Sequence, residues 1–189
     1  MVLHHKGTET IETDRLVLRK FAMDDANDMF MNWVNDIEVV DFLTWDPHGC
    51  IEVTQELLTE WIAAYEKTNT YNWAIVFKDN NEVIGSITVI DFSDKDLKCE
   101  IGYCLSKHYW SKGIITEALK AVIKFLFLEV GVNRIQLQHD TRNIASGKVM
   151  EKAGCTLEGT LRQRKMYRDG TIGDGHIWAI LRDDYVMDN

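Results

Sequence analysis

A short loop in the second half of the chain carries the residue types of an anion-binding site. It joins a predicted strand to a long predicted helix, and its sequence is Tyr109-Trp110-Ser111-Lys112-Gly113-Ile114-Ile115-Thr116-Glu117-Ala118. The first N–H groups of a helix have no partner inside the helix, and the helix dipole adds partial positive charge there. Gly113 permits close approach of the backbone and Lys112 adds charge, so the loop is a candidate phosphate site. It matches neither G-x-x-x-x-G-K-[ST] nor G-x-G-x-x-G, and a single glycine before a helix is more often only a turn.

The elements around this loop follow from the spacing of apolar residues. Strand patterns cover 16–21, 71–78, 82–91, 98–105, 134–139, 156–167 and 175–181. Helical spacing covers 26–34, 57–65, 115–130 and 145–153. The order β-α-α-β-β-β-α-β-α-β-β predicts an α/β (α+β) fold, a mixed sheet with helices packed on it. Along the strand 98–105 successive side chains alternate, so Glu100 lies on the face opposite to Ile101 and Tyr103.

Composition excludes several classes of function. The chain has 189 residues and a net charge of −9, and it shows no linker or repeat, which predicts one domain over 1–189 with a frayed terminus at about 1–8. No apolar run approaches the ~20 residues of a membrane helix and no secretory signal begins the chain, which favours a cytoplasmic protein without a membrane partner. The negative charge argues against direct nucleic-acid binding and favours cationic partners. The four cysteines form no C-x-x-C pair and no zinc-ligand spacing, so no metal is expected.

A second polar motif lies downstream, where Asn143-Ile144-Ala145-Ser146 precedes a short helix that ends at Gly154. This order of strand, Asn-x-x-Ser, short helix and glycine resembles the GNAT superfamily of N-acetyltransferases, and more narrowly its RimJ/RimL branch, the ribosomal-protein-alanine type. The matching pieces span nearly the whole chain and are 11–19, 100–103, 110–113, 116–118, 143–154 and 158–162. The resemblance implies the GNAT fold, whose mostly antiparallel central sheet has splayed fourth and fifth strands. It also implies an enzyme that moves an acetyl group from acetyl-CoA to a primary amine.

The resemblance implies a coenzyme A site made largely of backbone groups. In the family, a loop after the fourth strand binds the pyrophosphate; here that loop is Ser111, Lys112, Gly113, Ile114, Ile115 and Thr116. A small residue is usual at the position of Ile115. The pantetheine arm pairs with the backbone of the fourth strand, here Ile101, Gly102, Tyr103, Cys104 and Leu105. The residues alone also fit a core strand. One or two of the basic residues Lys107, His108, Lys112, Arg142, Lys148 and Lys152 are expected to meet the 3′-phosphate.

The same resemblance implies roles in catalysis. Ser146 matches the serine that assists the leaving sulfur in RimL-type proteins, and Asn143 would hold the pantetheine amide or a water. Met150 stands where many members have a tyrosine acid. Glu100 is the candidate general base, because a lysine amine with a pKa near ~10.4 must lose a proton, whereas an α-amine near ~8 needs little help. A backbone amide at or near Tyr103 would stabilise the oxyanion. Without the resemblance, Ser146 could simply cap the helix, and Glu100 could be a solvated or ion-paired carboxylate.

The acceptor pocket is expected between the two N-terminal helices, the loop 45–48 and the last hairpin. Trp45 and His48 are candidate lining residues, and His48 is a second candidate base; a packing Trp and a surface His are the alternatives. Candidates for the far wall are Arg162, Arg164, Lys165, Tyr167 and Arg168. The leading acceptor is a protein N-terminal amine, including that of a basic ribosomal protein. A small-molecule amine (an antibiotic, toxin or polyamine) and a non-catalytic acyl-CoA sensor are alternatives, and monomer and homodimer both stay open.

Overall fold

The computed structural model describes residues 2–43, 45–167 and 170–187, and its strands form one mixed sheet. The strands are β1 (Ile11–Glu12), β2 (Leu16–Arg19), β3 (Asn72–Phe77), β4 (Glu82–Ser93), β5 (Lys98–Leu105), β6 (Arg134–Asp140), β7 (Thr156–Met166) and β8 (Ile172–Leu181). The helices are α1 (Ala26–Met29), α2 (Ile37–Val40), α3 (Ile51–Ala64), α4 (Ile114–Phe125), α5 (Ile144–Lys152) and α6 (Arg182–Met187). The sheet order is β1-β2-β3-β4-β5-β6-β8-β7. Within the described residues β5 and β6 are the one parallel pair, so the prediction of a mostly antiparallel mixed sheet is confirmed.

Helices cover both faces of this sheet because each face carries apolar side chains. On one face, α4 and the sheet share a core whose buried members include Ile114, Leu119, Trp73 and Ile101. On the other face, α1 and α3 and the turn between them enclose a second core that includes Trp33. Burying a large apolar side chain stabilises the fold by roughly 1.5–3 kcal/mol. The two layers therefore hold β5, which belongs to both cores, at a fixed place in the centre of the sheet.

β5 and β6 pair over three residues and then separate. Their register is Lys98↔Arg134, Cys99↔Ile135 and Glu100↔Gln136. Beyond these pairs β5 continues to Leu105 and β6 to Asp140, with no further pairing between them in the described chain. Because the two-residue β1 precedes the core strands, β5 and β6 are the fourth and fifth strands that the resemblance implies. Their predicted splay is confirmed, and it leaves the β6-facing edge of residues 101–105, here termed the open edge, without a neighbouring strand.

The N-terminal segment is held against the core. The N–H of His4 donates to the carbonyl of Val130 at 2.8 Å, and Nδ1 of His5 lies 3.0 Å from the hydroxyl of Tyr71. Thr8 is buried and donates to the carbonyl of Thr70 at 3.0 Å. The prediction of a frayed terminus at about 1–8 is therefore wrong for residues 4–8, whose hydrogen bonds to distant parts of the chain outweigh the entropy of a free end.

The N-terminal helices are more broken than predicted. The helix predicted at 26–34 is α1 followed by a wider π-type turn at Phe30–Val34, and a 3-10 turn at Met23–Asp25 precedes it. The short α2, which was not predicted, begins after Asp36, whose Oδ1 accepts the N–H of Glu38 at 3.0 Å and so caps the helix. α6, which follows β8 directly, was also not predicted. None of the helices in the described ranges has the length and apolar character needed to cross a membrane.

Candidate active site

The turn at 111–116, here termed the Gly113 turn, presents backbone N–H groups at the start of α4. Gly113 has φ 75° and caps the helix in the left-handed conformation, and Ser111 is also left-handed with φ 60°. The first bond of α4 runs from the N–H of Glu117 to the carbonyl of Gly113, at 3.1 Å. The N–H groups of the first turn before Glu117 therefore have no partner within the helix. Together with the helix dipole they form the kind of concave N–H cluster that binds phosphate.

An ion pair anchors the Gly113 turn to β2. Nε of Arg15 donates to Oε2 of Glu117 at 2.7 Å, and Nη1 of Arg15 donates to the carbonyl of Lys112 at 3.0 Å. The hydroxyl of Thr13 donates to Oε1 of Glu117 at 2.6 Å. Burial alone would raise the pKa of Glu117, but the hydrogen bonds from Thr13 and Arg15 outweigh it and lower the pKa below its ordinary value. Glu117 is thus an ionised brace that fixes the turn.

The bulky residue at the position of Ile115 does not cover the turn. The side chains of Ile114 and Ile115 are 2% and 6% exposed and belong to the core beneath α4. Ser111 and Lys112 are exposed and Thr116 is half-buried. Nζ of Lys112 lies 5.2 Å from the ring centre of Tyr109. The outer side of the turn is therefore made of backbone and of the exposed side chains of Ser111 and Lys112, because both isoleucines are buried.

The open edge lies between β5 and the start of α5. Ile101 and Leu105 are buried in the core, and Gly102 and Cys104 lie half-buried on the opposite face of β5. The side chain of Tyr103 reaches toward α5, where its hydroxyl lies 2.7 Å from Oγ of Ser146. Burial raises the pKa of Tyr103 far above its ordinary value, so its phenol stays protonated and can donate a hydrogen bond. Tyr103 and Ser146 thus form a neutral donor pair beside the open edge.

Asn143 has a structural contact that the sequence could not establish. It caps α5, and its Oδ1 accepts the N–H of Ser146 at 3.1 Å. Asn143 fixes the first turn of α5 and with it the position of the Ser146 hydroxyl. Lys148 is exposed on the same helix.

Glu100 is held by two amides rather than by a cation. Nε2 of Gln136 donates to Oε2 of Glu100 at 3.0 Å, and Nε2 of Gln138 donates to Oε1. Both glutamines are on β6, so these bonds cross the point where β5 and β6 separate. Each carboxylate oxygen keeps a second lone pair that can accept a proton or a water. Glu100 is half-buried and makes no ion pair within the described residues, so the ion-paired alternative does not describe it.

These polar groups lie on opposite sides of the same strand. Glu100 and Tyr103 are three residues apart on β5, so their side chains point to opposite faces of the sheet. The open edge starts next to Glu100 and passes Tyr103. A reactant lying along this edge would meet a carboxylate on one side and a neutral hydroxyl pair on the other. That arrangement suits a transfer in which one group loses a proton and another gains one.

The loop after α2 and the terminal hairpin, formed by β7 and β8, meet at a cavity of about 130 Å³. Its lining residues are Asp41, Leu43, Trp45, Asp46, Lys165, Met166 and Tyr167. Nζ of Lys165 donates to the carbonyl of Leu43 at 2.8 Å and joins the two walls. The structure thus brings the predicted loop and hairpin together. Arg168 lies outside the described residues.

His48 is not among the residues that line this cavity. It is 8% exposed, and its Nδ1 lies 2.8 Å from the hydroxyl of the buried Thr54. Burial lowers the pKa of His48, so it stays neutral near pH 7. The alternative of a surface histidine is therefore wrong, since the ring is buried and packs beside Trp45. The role of His48 as a second candidate base stays a prediction.

Comparison with protein families decides the class of this site. The model for the acetyltransferase (GNAT) domain matches residues 15–156, which include the Gly113 turn, the open edge and Ser146. The chain belongs to the GNAT acetyltransferase family. It is therefore an acetyl-transferring enzyme, an N-acetyltransferase by its relatives, and acetyl-CoA is the acetyl donor that this family uses.

Several relatives cover most of the GNAT chain. It is 32% identical over 172 residues to the uncharacterized N-acetyltransferase YoaA of Bacillus subtilis, covering 91% of this chain and 96% of YoaA. It is 30% identical over 109 residues to the ribosomal-protein-serine acetyltransferase of Escherichia coli, covering 58% of this chain and 60% of that one. The crystal structure of ribosomal-protein-S5-alanine acetyltransferase from Vibrio fischeri has a TM-score of 0.82 and 20% identity, covering 94% and 98% of the two chains. That last likeness shows the shared GNAT fold.

Two of the basic residues expected near the 3′-phosphate are engaged elsewhere. Nζ of Lys107 lies 2.9 Å from carboxylate oxygens of both Asp36 and Glu38. The guanidinium of Arg142 pairs with Asp140 and lies 3.3 Å from the ring centre of Tyr167, next to the cavity. His108 and Lys152 are exposed, like Lys112 and Lys148. The prediction that one or two basic residues contact the 3′-phosphate therefore applies best to the other four candidates, which are Lys112, His108, Lys148 and Lys152.

The sequence missed two contributors to the GNAT site. Tyr103 was assigned only a backbone role, because the approach of its hydroxyl to Ser146 depends on how α5 packs. Gln138 was not singled out, although its position two residues after Gln136 on a strand puts both on one face, next to Glu100. Within the described residues no group of three or more His, Cys, Asp or Glu side chains could hold a metal ion.

Proposed function

We propose that the whole chain forms a single acetyltransferase domain that transfers the acetyl group of acetyl-CoA to the N-terminal amine of a protein. Transfer occurs by direct attack of the amine in a ternary complex. One observation carries the proposal: the open edge of 101–105 runs between the Gly113 turn, the Glu100 carboxylate and the Tyr103–Ser146 pair. Groups for phosphate binding, proton removal and proton donation thus all lie along the open edge.

The functional groups of the coenzyme match those of the open edge and the Gly113 turn. Its pantetheine arm carries amide groups, and the open edge offers the backbone donors and acceptors of a strand that lacks a neighbour. Its diphosphate matches the unpaired N–H groups of the Gly113 turn. In the proposed complex, residues 101–105 align the arm and residues 111–116 hold the diphosphate. An exposed lysine such as Lys148 neutralises the 3′-phosphate.

Glu100 is the proposed general base. It accepts the proton of the attacking amine through a water, since each of its oxygens keeps a free lone pair beside the Gln136 and Gln138 amides. The amine nitrogen forms a bond to the thioester carbon, and the carbonyl oxygen becomes an oxyanion. A backbone N–H at or near Tyr103 donates to that oxyanion. An α-amine, with an ordinary pKa near ~8, is partly neutral at pH 7 and suits a weak base acting through water.

Ser146 is the proposed proton donor to the leaving group. When the tetrahedral intermediate collapses, the carbon–sulfur bond breaks and the thiolate takes the proton of the Ser146 hydroxyl. The phenol of Tyr103, 2.7 Å away and kept neutral by burial, donates a hydrogen bond to the serine oxygen as its proton leaves, and the partly exposed Ser146 recovers a proton from solvent. Asn143 orients Ser146 by capping α5. The products are an N-acetylated amine and the free thiol of coenzyme A.

Support for a protein N-terminus as acceptor comes from chemistry and from relatives. Asp41 and Asp46 line the cavity at the terminal hairpin, and the chain carries a net charge of −9, so a basic peptide would be attracted. Relatives include the ribosomal-protein-serine acetyltransferase already described. A ribosomal protein with a basic N-terminus is the proposed partner and the cytoplasm the proposed location.

A panel of amines tests this function. Peptides with a free α-amine, the same peptides with a blocked N-terminus and a free lysine, and a polyamine are each incubated with acetyl-CoA while thiol release is followed. The expected result is faster release with the free α-amine. Turnover of the polyamine without turnover of any peptide would favour a small-molecule acetyltransferase instead. Binding of acetyl-CoA without turnover of any amine would favour a sensor.

A further inference from the structure

A chain of hydrogen bonds connects Glu100 to the terminal hairpin. Nη2 of Arg164, on β7, donates to Oε1 of Gln138 at 2.9 Å. Nε2 of the same Gln138 donates to Oε1 of Glu100. The hydrogen bonds from Arg164 to Gln138 and from Gln138 to Glu100 therefore connect the exposed β7, across β6, to the carboxylate on β5.

The chemistry of the two ends fixes the orientation of the Gln138 amide. A guanidinium has only donors, and an ionised carboxylate has only acceptors. Oxygen of the amide must therefore face Arg164, and its NH₂ must face Glu100. Without Arg164 the amide is free to turn and to offer its oxygen to the carboxylate, which would repel it. Arg164 thus selects the one orientation in which Gln138 supports Glu100.

The backbone of β7 is shaped to deliver Arg164 to this place. Pairing with β8 shifts register between Leu161 and Lys165, and within this bulge Gln163 is left-handed with φ 53°. The N–H of Gln163 donates to Oδ1 of Asp174 at 2.7 Å and pins the bulge. Bulges often redirect a side chain next to an active site.

The stem of Arg164 passes directly over a glycine on β8. A Cβ at Gly175 would lie 3.2 Å from Cγ of Arg164, which is closer than nearly all real contacts of a Cβ. The absence of a side chain at Gly175 therefore leaves the space that the Arg164 stem occupies. This second feature, on a different strand from the bulge, also favours the observed path of the side chain.

We infer that Arg164 is a positioning residue for Glu100, acting through the amide of Gln138, an inference that rests on the proposed role of Glu100 as base. Arg164 directly precedes Lys165, Met166 and Tyr167, which line the cavity between the hairpin and the loop after α2. An acceptor that binds against the hairpin would contact the segment next to Arg164, which orients Glu100. The terminal hairpin then both lines the acceptor side and aligns the carboxylate.

Steady-state kinetics of four variants test the inference. Arg164→Leu removes the donor, Arg164→Lys keeps one, and Gly175→Ala crowds the stem. Lys124→Leu is the matched control, because it also removes an exposed cation and lies near the end of α4, outside the candidate site. Arg164→Leu should lower kcat about tenfold, the equivalent of one lost charged hydrogen bond, with KM for acetyl-CoA unchanged. Arg164→Lys should recover most of kcat, and Gly175→Ala should give a kcat between those of Arg164→Leu and wild type. Lys124→Leu should match wild type.

A double-mutant cycle separates this inference from the proposed function. If Arg164 acts through the base, Arg164→Leu should not lower kcat further in a Glu100→Gln background. Equal losses in both backgrounds would overturn the inference, as would normal kcat in Arg164→Leu while Glu100→Gln is impaired. In either case the base assignment survives. Normal kcat in Glu100→Gln alone would instead remove the base assignment and the inference together.

Discussion

The Gly113 turn and the terminal hairpin both belong to the proposed site, but they contribute different kinds of groups to it. The turn offers backbone N–H groups and is braced to β2 by Arg15 and Glu117. The hairpin offers side chains from β7, a strand whose residues are almost all exposed. Backbone groups bind the part of a substrate that every reaction shares, and they tolerate sequence change. Side chains on an exposed strand can change from one relative to another, which suits the choice of acceptor.

The largest loss of activity is expected from substitution of Glu100, the proposed base on β5, which the hairpin contacts through Gln138. Glu100→Gln keeps the shape but removes the base, so kcat should fall about a hundredfold at pH 7. Acetyl-CoA affinity should not change, because the variant leaves the backbone of the open edge in place. Stopped-flow or steady-state thiol release, together with calorimetry of acetyl-CoA binding, measures both quantities. Glu56→Gln, an exposed carboxylate on α3, serves as control. A weakened acetyl-CoA affinity in Glu100→Gln would show that the two regions are not separable.

On the coenzyme side, the conformation of Gly113 should matter more than its size. Gly113→Val places a β-branched residue at φ 75°. The resulting strain should weaken acetyl-CoA binding about tenfold or more. Gly113→Asn is the matched control, because asparagine tolerates the left-handed conformation. Calorimetry should rank affinity as wild type, then Asn, then Val. Equal affinities for Asn and Val would mean that the left-handed turn is not what binds the coenzyme.

The neutral hydroxyl pair should behave as one unit. Ser146→Ala and Tyr103→Phe should each lower kcat about tenfold, and the double variant should lose little more. Ser146→Thr keeps a hydroxyl and should retain more activity than Ser146→Ala. The kinetics of thiol release measure these losses, and losses that multiply in the double variant would show that the two hydroxyls act independently.

The smallest effect is expected for Glu117, which fixes the Gly113 turn, and it concerns the free energy of unfolding. The folded-state pKa of Glu117 is lowered, so its stabilisation is present above its ordinary value of 4.5 and is lost as pH falls through the folded-state pKa. Glu117→Gln should therefore reduce the free energy of unfolding by about 1 kcal/mol at pH 7. Urea unfolding at a series of pH values should show this difference shrinking in acid. A difference that grows in acid would contradict the sign of the shift. Glu60→Gln, exposed on α3, is the control.

The two regions also differ in how well the sequence predicted them. Gly113 could be recognised because a left-handed turn before a helix needs glycine, and the splay of β5 and β6 followed from the family resemblance. Whether the bulky Ile115 would cover the turn could not be predicted from the sequence, because the answer depends on packing, which buries its side chain in the core. The contact between Tyr103 and Ser146 joins residues 43 positions apart and depends on how α5 docks.

The hairpin was harder because its geometry depends on an irregularity. Arg164 reaches Gln138 through a register shift in β7 that no periodic pattern reveals. The surface alternative for His48 was wrong, because a histidine in a loop is expected to be exposed, whereas this side chain is buried and pairs with Thr54. In both cases tertiary contacts, rather than local propensity, decide where the side chain lies.

Amide hydrogen exchange with and without acetyl-CoA tests the central claim most directly, because it reports on the backbone N–H groups themselves. We expect acetyl-CoA to slow exchange in two segments, 101–105 and 111–116, and to leave the terminal hairpin nearly unchanged until a peptide acceptor is added. Protection of the hairpin by acetyl-CoA alone, with 101–105 and 111–116 exchanging as before, would contradict the account.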